Sequence, residues 1–133
     1  MKKVAIIIVA VITVLVVLPT SLFFALTAPQ DKGAFSVGEF CDELENENFQ
    51  TDKTYNTIKD YKSAAKIGKT AIADRFENAN GSIFRWMGCD VQYDEKNDAY
   101  YIRTYRLSPF VMGGAYDVII QSDGTVLAIW GEK

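Results

Sequence analysis

The stretch GGAYDVIIQSDGTVLAIWGEK, residues 113–133, decides the fold of this chain. Two alternating runs rich in β-branched residues, Ala115–Gln121 and Thr125–Trp130, flank the tripeptide Ser122-Asp123-Gly124. An Asp-Gly turn between two such runs is a strong short-range signal for a β-hairpin. Gly124 can take the left-handed conformation that this turn needs. We therefore predict a closing hairpin that belongs to the structural core.

Further strands and one long helix are predicted upstream of the hairpin. Ala99–Arg106 has strand alternation, and Cys89–Tyr93 begins the strand before it. A helix that opens at Thr57 or Asp60 carries small and apolar residues at three- and four-residue spacing. Alternation divides the strand Ala99–Arg106 into two faces. Tyr100, Ile102 and Thr104 lie on one face, and Tyr101, Arg103 and Tyr105 lie on the other.

These elements predict an α+β fold. We expect an N-terminal transmembrane helix and then a helix packed on a curved antiparallel sheet of about four strands. Residues 1–28 are assigned to an anchor or signal segment, and residues 57–133 to the α+β domain. Residues 29–56 between them are interpreted as a juxtamembrane linker, over Pro29–Ala34, and a short helix, over Val37–Asn46. Ser36 and Glu39 have the spacing of a capping box for that helix.

The N-terminal segment from Val4 to Ala28 contains no charged residue. It exceeds the roughly 20 residues that cross a hydrocarbon core as a helix. Lys2 and Lys3 precede it, and the positive-inside tendency then places the C-terminal domain outside the cytoplasm. The alternative is a cleaved secretory signal, which would leave a secreted or periplasmic domain.

Composition excludes several classes of function. The chain has no histidine, so Ser-His and Cys-His nucleophile pairs are ruled out. With 14 basic and 17 acidic residues the net charge is −3, which is unsuited to sequence-independent nucleic-acid binding. No phosphate-binding glycine motif and no calcium-loop pattern occurs. We therefore predict a protein that is not an enzyme and needs no cofactor or metal.

The two cysteines, Cys41 and Cys89, both lie in the part predicted to be exported. Oxidising compartments favour disulfides, so we predict a bridge between them. Two separate buried thiols are the alternative. The chain has no Cys-x-x-Cys motif.

A face of aromatic and cationic side chains is the predicted partner surface. Tyr101, Arg103 and Tyr105 share one side of a strand, and Phe110 lies in the apolar connection that follows it. Interfaces are enriched in Tyr and Arg, so we expect these four residues to contact a protein partner.

Residues 57–133 resemble the NTF2-fold immunity proteins of bacterial polymorphic toxin systems. The likeness rests on the helix KDYKSAAKIGKTAI, the segment DVQYDEKNDAYYIRTY, the pair Gly113-Gly114 and the turn Asp123-Gly124. It implies an NTF2-like or cystatin-like sheet. It also implies a protein that binds a cognate toxin and neutralises it by steric occlusion, without catalysis.

Two other functions remain open from the sequence. One is an envelope-anchored regulator or inhibitor of a membrane peptidase. The other is a small-ligand-binding domain, because NTF2-like sheets often curve around a pocket. A deep pocket with converging charged groups would favour the ligand-binding function, and a filled interior would favour the protein-binding ones.

Overall fold

The computed structural model describes residues 2–76, 88–105 and 114–132, with side chains from Ile6 onward. An apolar N-terminal helix is followed by a five-stranded mixed sheet with a helix packed against it. The helices are α1 (Lys2–Ile12), α2 (Leu18–Thr27), α3 (Cys41–Glu45) and α4 (Tyr61–Arg75). The strands are β1 (Pro29–Ala34), β2 (Gly88–Asp94), β3 (Ala99–Tyr105), β4 (Tyr116–Gln121) and β5 (Val126–Gly131).

The N-terminal helix combines α1, a π-helical stretch at Thr13–Val17, and α2. The π-helical turns directly precede Pro19. Proline has no N–H to donate to the carbonyl one turn earlier, and apolar helices often accommodate it by such a local change in helical geometry. Ile6–Thr27 spans 22 residues with a mean hydropathy of 2.8, so it is long and apolar enough to cross a membrane. A signal sequence meets the same criterion, and the helix by itself gives no orientation.

Helix α4 begins where its capping residues dictate. The Asp60 carboxylate accepts the Ser63 N–H at 2.7 Å, and the Ser63 hydroxyl accepts the Asp60 N–H at 3.0 Å. This reciprocal arrangement satisfies two donors that the first helical turn would otherwise leave unpaired. Of the two predicted starting points, Asp60 is therefore the cap.

The sheet has one more strand than the sequence predicts, and it is not purely antiparallel. Strands β2 to β5 form an antiparallel meander, and β1 pairs in parallel with β2 at one edge. The predicted linker at Pro29–Ala34 is therefore wrong, because these residues form β1. A single residue, Ala28, separates α2 from this strand. β1 contains an irregularity at Gly33, which has a φ of +86°.

Helix α4 covers one face of the sheet, here called the helix face. Its small residues lie against aliphatic side chains of the strands, as its spacing predicts. At Gly68 an added Cβ would lie 3.0 Å from the Cβ of Ile102, so glycine permits the helix to approach β3 closely. The buried cluster on this face comprises Ile58, Ala64, Ala65, Ala71, Ile72, Cys89, Val91, Ile102, Val118, Ile120, Val126 and Ile129.

The opposite face of the sheet is covered by residues 35–49, here called the cover segment. It contains three short helical elements: a 3-10 turn at Val37–Phe40, α3, and a second 3-10 turn at Glu47–Phe49. These agree with the short helix that the sequence predicts there. The predicted capping by Ser36 is wrong, because the Ser36 side chain makes no cap hydrogen bond. The Asp94 carboxylate instead accepts the Val37 N–H at 2.8 Å, which ties the cover segment to the β2–β3 turn.

The closing hairpin forms as predicted from β4 and β5. Gly124 has a φ of +95°, and residues 54–58 pass directly beside its turn. The Tyr55 N–H donates to the Gly124 carbonyl at 2.9 Å, and Thr54 bridges to Thr125. The turn therefore also anchors the chain that leads into α4.

Gly124→Ala should destabilise the domain strongly. A Cβ at this position would lie 2.1 Å from the Tyr55 carbonyl oxygen, in addition to the left-handed strain. We expect a loss of about 3 kcal/mol or more in the free energy of unfolding, measured by urea denaturation.

Gly33→Ala is the matched control for this substitution. Gly33 has a similar left-handed φ of +86°, but no heavy atom lies within 4 Å of an added Cβ. This variant should lose only about 1 kcal/mol, the cost of the backbone conformation. Equal losses in the two variants would contradict the close contact between Gly124 and Tyr55.

Candidate functional site

The predicted two-faced character of β3 is confirmed, but its aromatic face is not an open row. Tyr101 is only 8% exposed and lies in an aromatic cluster beneath the cover segment. Its ring centroid is 4.8 Å from that of Phe40 and 5.7 Å from that of Phe35. Trp130 stacks against the same cluster. Tyr101 therefore has little surface to offer a partner in this arrangement.

A buried carboxylate stands beside Tyr101 on the same face. Asp117 of β4 has a side chain that is 1% exposed, and its Oδ1 accepts the Tyr101 hydroxyl at 2.6 Å. The Arg103 guanidinium approaches the same oxygen, with Nε at 3.9 Å. The other oxygen, Oδ2, is buried and has no hydrogen-bond partner within the described residues.

The environment of this carboxylate displaces several pKa values. Burial raises the pKa of Asp117, although the Tyr101 hydroxyl and the Arg103 charge favour its ionised form, and Glu132 and Glu43 oppose ionisation. Burial also raises the pKa of Tyr101, and the Asp117 carboxylate adds to that shift. Tyr101 is therefore a phenol at neutral pH and remains a donor to Asp117.

Arg103 connects the buried pair to a half-exposed surface. Its side chain is 39% exposed, and its Nη2 donates to Glu132 Oε2 at 2.5 Å. The Tyr105 hydroxyl, on the same strand, donates at 3.2 Å to Asp90 of the neighbouring strand β2, and Lys32 of β1 lies 3.9 Å from that carboxylate. We call the group formed by Lys32, Asp90, Arg103, Tyr105 and Glu132 the open patch.

The open patch carries the types of side chain that commonly bind protein partners. Two hydrogen bonds and one ion pair hold its groups, and it offers a guanidinium fork, a phenol ring and carboxylates to a partner. Within the described residues no group of three His, Cys, Asp or Glu side chains is placed to hold a metal ion. Neither of the cavities described in the domain, one beside α4 and one beside β1, is lined by Asp117.

The structure brings together two of the four predicted contact residues at the surface. Arg103 and Tyr105 lie in the open patch, Tyr101 is buried behind it, and Phe110 lies outside the described residues. Sequence reasoning missed Asp117 and Glu132. The signal for Asp117 was present, because it is the one charged residue in the apolar strand YDVIIQ.

The predicted disulfide is not formed. Cys41 and Cys89 are both free thiols, and they lie on opposite sides of the sheet. Cys89 points into the helix face and is fully buried. Cys41, in the cover segment, is exposed and its thiol lies 3.0 Å from the Gly38 carbonyl oxygen. The sheet separates the two side chains, so a bridge would require one of them to leave its layer.

Alkylation should distinguish the two thiols. We expect iodoacetamide to modify Cys41 in the native protein and to spare Cys89, because burial removes access and raises the pKa of the Cys89 thiol to about 11. Mass spectrometry of tryptic peptides would measure this, with both cysteines modified after unfolding in guanidinium as the control. Absence of any free thiol in the purified, air-oxidised protein would contradict the arrangement.

Asp117 should make stability fall as the pH rises. A raised native pKa means that ionisation costs stability, and this cost begins near the unfolded value of about 3.9 and is complete above the native pKa. Asp117→Asn should therefore gain stability relative to the wild type between pH 4 and pH 7. Urea denaturation across that range measures the difference.

Asp94→Asn is the control with the opposite sign. Hydrogen bonds lower the pKa of Asp94. The N–H of Val37 has the largest effect, and the side-chain amide of Asn97 adds to it. Its stabilisation is present above the unfolded pKa and is lost as the pH falls through the native value. This variant should therefore lose most stability near neutral pH. Identical pH dependence in the two variants would contradict the assignment of Asp117.

Comparison with known proteins finds no matching family model, no matching curated protein and no matching solved structure.

Proposed function

We propose that this chain is a non-catalytic binding protein, held at a membrane by its N-terminal helix. We further propose that it acts as an immunity protein, which neutralises a cognate bacterial toxin by steric occlusion. The toxin assignment rests on the sequence resemblance to NTF2-fold immunity proteins. The order of elements supports it, because α4 precedes the antiparallel meander β2 to β5 and covers one of its faces, as an NTF2-like or cystatin-like arrangement requires.

The filled interior of the domain is the observation that carries a binding function. The helix face is packed with aliphatic side chains from α4 and the strands. The opposite face is packed with Tyr101, Trp130 and the aromatic residues of the cover segment. Within the part of the chain that the structure describes, a sheet with both faces occupied offers a partner its surface rather than a deep pocket. This is the reason to prefer a protein partner over a small ligand.

The open patch is the proposed contact surface. Arg103 and Tyr105 are residue types that dominate protein interfaces, and here each is oriented by a carboxylate, Glu132 or Asp90. Preoriented side chains lose less conformational entropy on binding. The mixture of charges suits a partner whose own surface is polar and mixed in sign.

A location at the membrane is supported by the connection between α2 and β1. Ala28 alone separates them, so the sheet would start directly at the end of a membrane-spanning helix. Pro29 pairs with Cys89, which pairs with Thr104, so the open patch lies toward that same end of the sheet. The lysines at positions 2 and 3 favour a domain outside the cytoplasm, and signal cleavage would instead release it.

The same connection favours a second candidate function. A domain held against the bilayer reaches partners that are themselves at the membrane surface. Regulation or inhibition of a membrane peptidase through the open patch fits this placement. The two functions differ in the partner, and the partner's identity separates them.

Chemical cross-linking of the full chain in native membranes, followed by mass spectrometry, tests the proposal. The expected product joins Lys32, in the open patch, to a protein toxin or a membrane peptidase. Binding of that partner is then compared between Tyr105→Ala and Lys66→Ala, where Lys66 is exposed on α4 across the sheet. We expect Tyr105→Ala to weaken binding at least tenfold and Lys66→Ala to change it less than twofold.

For the immunity function, cells that produce the partner toxin should survive only when this chain is co-produced. Survival without this chain would contradict that function. Full affinity of a folded Tyr105→Ala variant would contradict the open patch as the contact surface. Arg103 is left unchanged in these variants because its removal would leave the buried Asp117 carboxylate without a compensating charge.

A further inference from the structure

A small cavity lies beside β5 and the C-terminal half of α4, and it shares no lining residue with the open patch. It has a volume of about 120 Å³ and is bounded by three parts of the chain. Ala71 and Ile129 are buried and form its apolar part. The remaining walls are polar and are made by Thr51, Lys53, Tyr55, Asp74 and Arg75.

The polar walls are held in place by contacts among themselves. The Tyr55 hydroxyl donates to Asp74 Oδ2 at 3.0 Å, and Lys53 Nζ lies 3.6 Å from the same oxygen. Arg75 Nη2 donates to the Asn48 carbonyl at 2.7 Å, which joins the cover segment to α4. Lys53 and Arg75, both exposed, thereby bring two cations to one cavity from separate segments of the chain.

The charge balance of the cavity is positive. Lys53 and Arg75 contribute two positive charges, and Asp74 contributes one negative charge that is already engaged by Tyr55 and Lys53. Burial and the Asp74 carboxylate raise the pKa of Tyr55 to about 12, so this phenol adds no negative charge at neutral pH. The guanidinium of Arg75 has further N–H donors beyond the one used on Asn48.

We propose that this cavity binds one small oxyanion, the carboxylate or the phosphate group of a ligand. Arg75 supplies a planar pair of donors that matches two oxygens of such a group, and Lys53 supplies a second positive charge. The Thr51 hydroxyl accepts the Lys53 N–H at 3.3 Å, which leaves its own proton to donate to a ligand oxygen.

The cavity has room for a small anionic group. Its volume of about 120 Å³ is well above the roughly 10–15 Å³ that one water molecule needs on the same measure. One carboxylate or phosphate group therefore fits that space. The apolar surface of Ala71 and Ile129 excludes water from one side of the anion and thereby strengthens its attraction to the two cations.

The test is a titration of the ¹⁵N-labelled full chain in detergent micelles by heteronuclear NMR. Sodium phosphate and sodium acetate are the two probes, and sodium chloride holds the ionic strength constant. We expect saturable shifts of the backbone N–H signals of Thr51, Lys53 and Arg75, with a midpoint in the millimolar range. Saturation by both probes indicates a general oxyanion site, and saturation by one identifies its preferred source.

Lys53→Gln is the test variant, because Lys53 makes one ion pair and its loss leaves the contact between Arg75 and Asn48 intact. It should raise the apparent Kd at least fivefold. Lys66→Gln, on the same helix as Arg75 but outside the cavity, should leave the Kd within twofold of the wild type. Thermal unfolding of each variant checks that the fold survives.

Three results would overturn this proposal. They are shifts that rise linearly without saturation for both probes, the same shifts with chloride alone, and an equal loss of affinity in Lys53→Gln and Lys66→Gln. None of them bears on the partner-binding function, since the open patch and the cavity share no residue.

Discussion

Both faces of the central sheet are apolar, and each needs a cover from elsewhere in the chain. Val118, Ile119 and Ile120 are consecutive in β4, and all three are fully buried. Successive residues of a strand point to opposite faces, so such a run is stable only when both faces are shielded from water. Helix α4 shields one face and the cover segment shields the other. Residues 35–49, ahead of α4, are therefore packed as part of the folded domain.

The cover segment explains why the aromatic face of β3 is closed over part of its length. Phe35, Phe40 and Phe49 lie over Tyr101 and Trp130, and the Asp94 carboxylate fixes the start of this segment through the Val37 N–H. Toward the other end of the strand the cover stops. There Arg103 and Tyr105 remain half-exposed, with Asp117 buried behind them. The open patch is thus the part of this face that the cover leaves to solvent.

Asp117 is the polar exception in an apolar layer. Its burial is tolerated because Tyr101 donates to it and Arg103 lies close to it, yet one of its oxygens stays unsatisfied within the described residues. Replacing such a group by an apolar residue is often neutral or stabilising. The network nevertheless orients Arg103 toward Glu132 at the surface. Burying Asp117 therefore costs stability, but it also holds Arg103 in a defined position at the open patch.

The sequence by itself determined the elements whose signals are local. The closing hairpin follows from alternation and from Gly124, helix α4 follows from its three- and four-residue spacing, and the two faces of β3 follow from its period of two. The sequence did not determine which residues from distant segments meet. The strand β1, the cap that Asp94 provides for Val37, the separation of Cys41 from Cys89 and the burial of Tyr101 were decided by tertiary structure. Each depends on which layer a segment joins, and that choice is made by burying apolar surface of the whole sheet rather than by any local pattern.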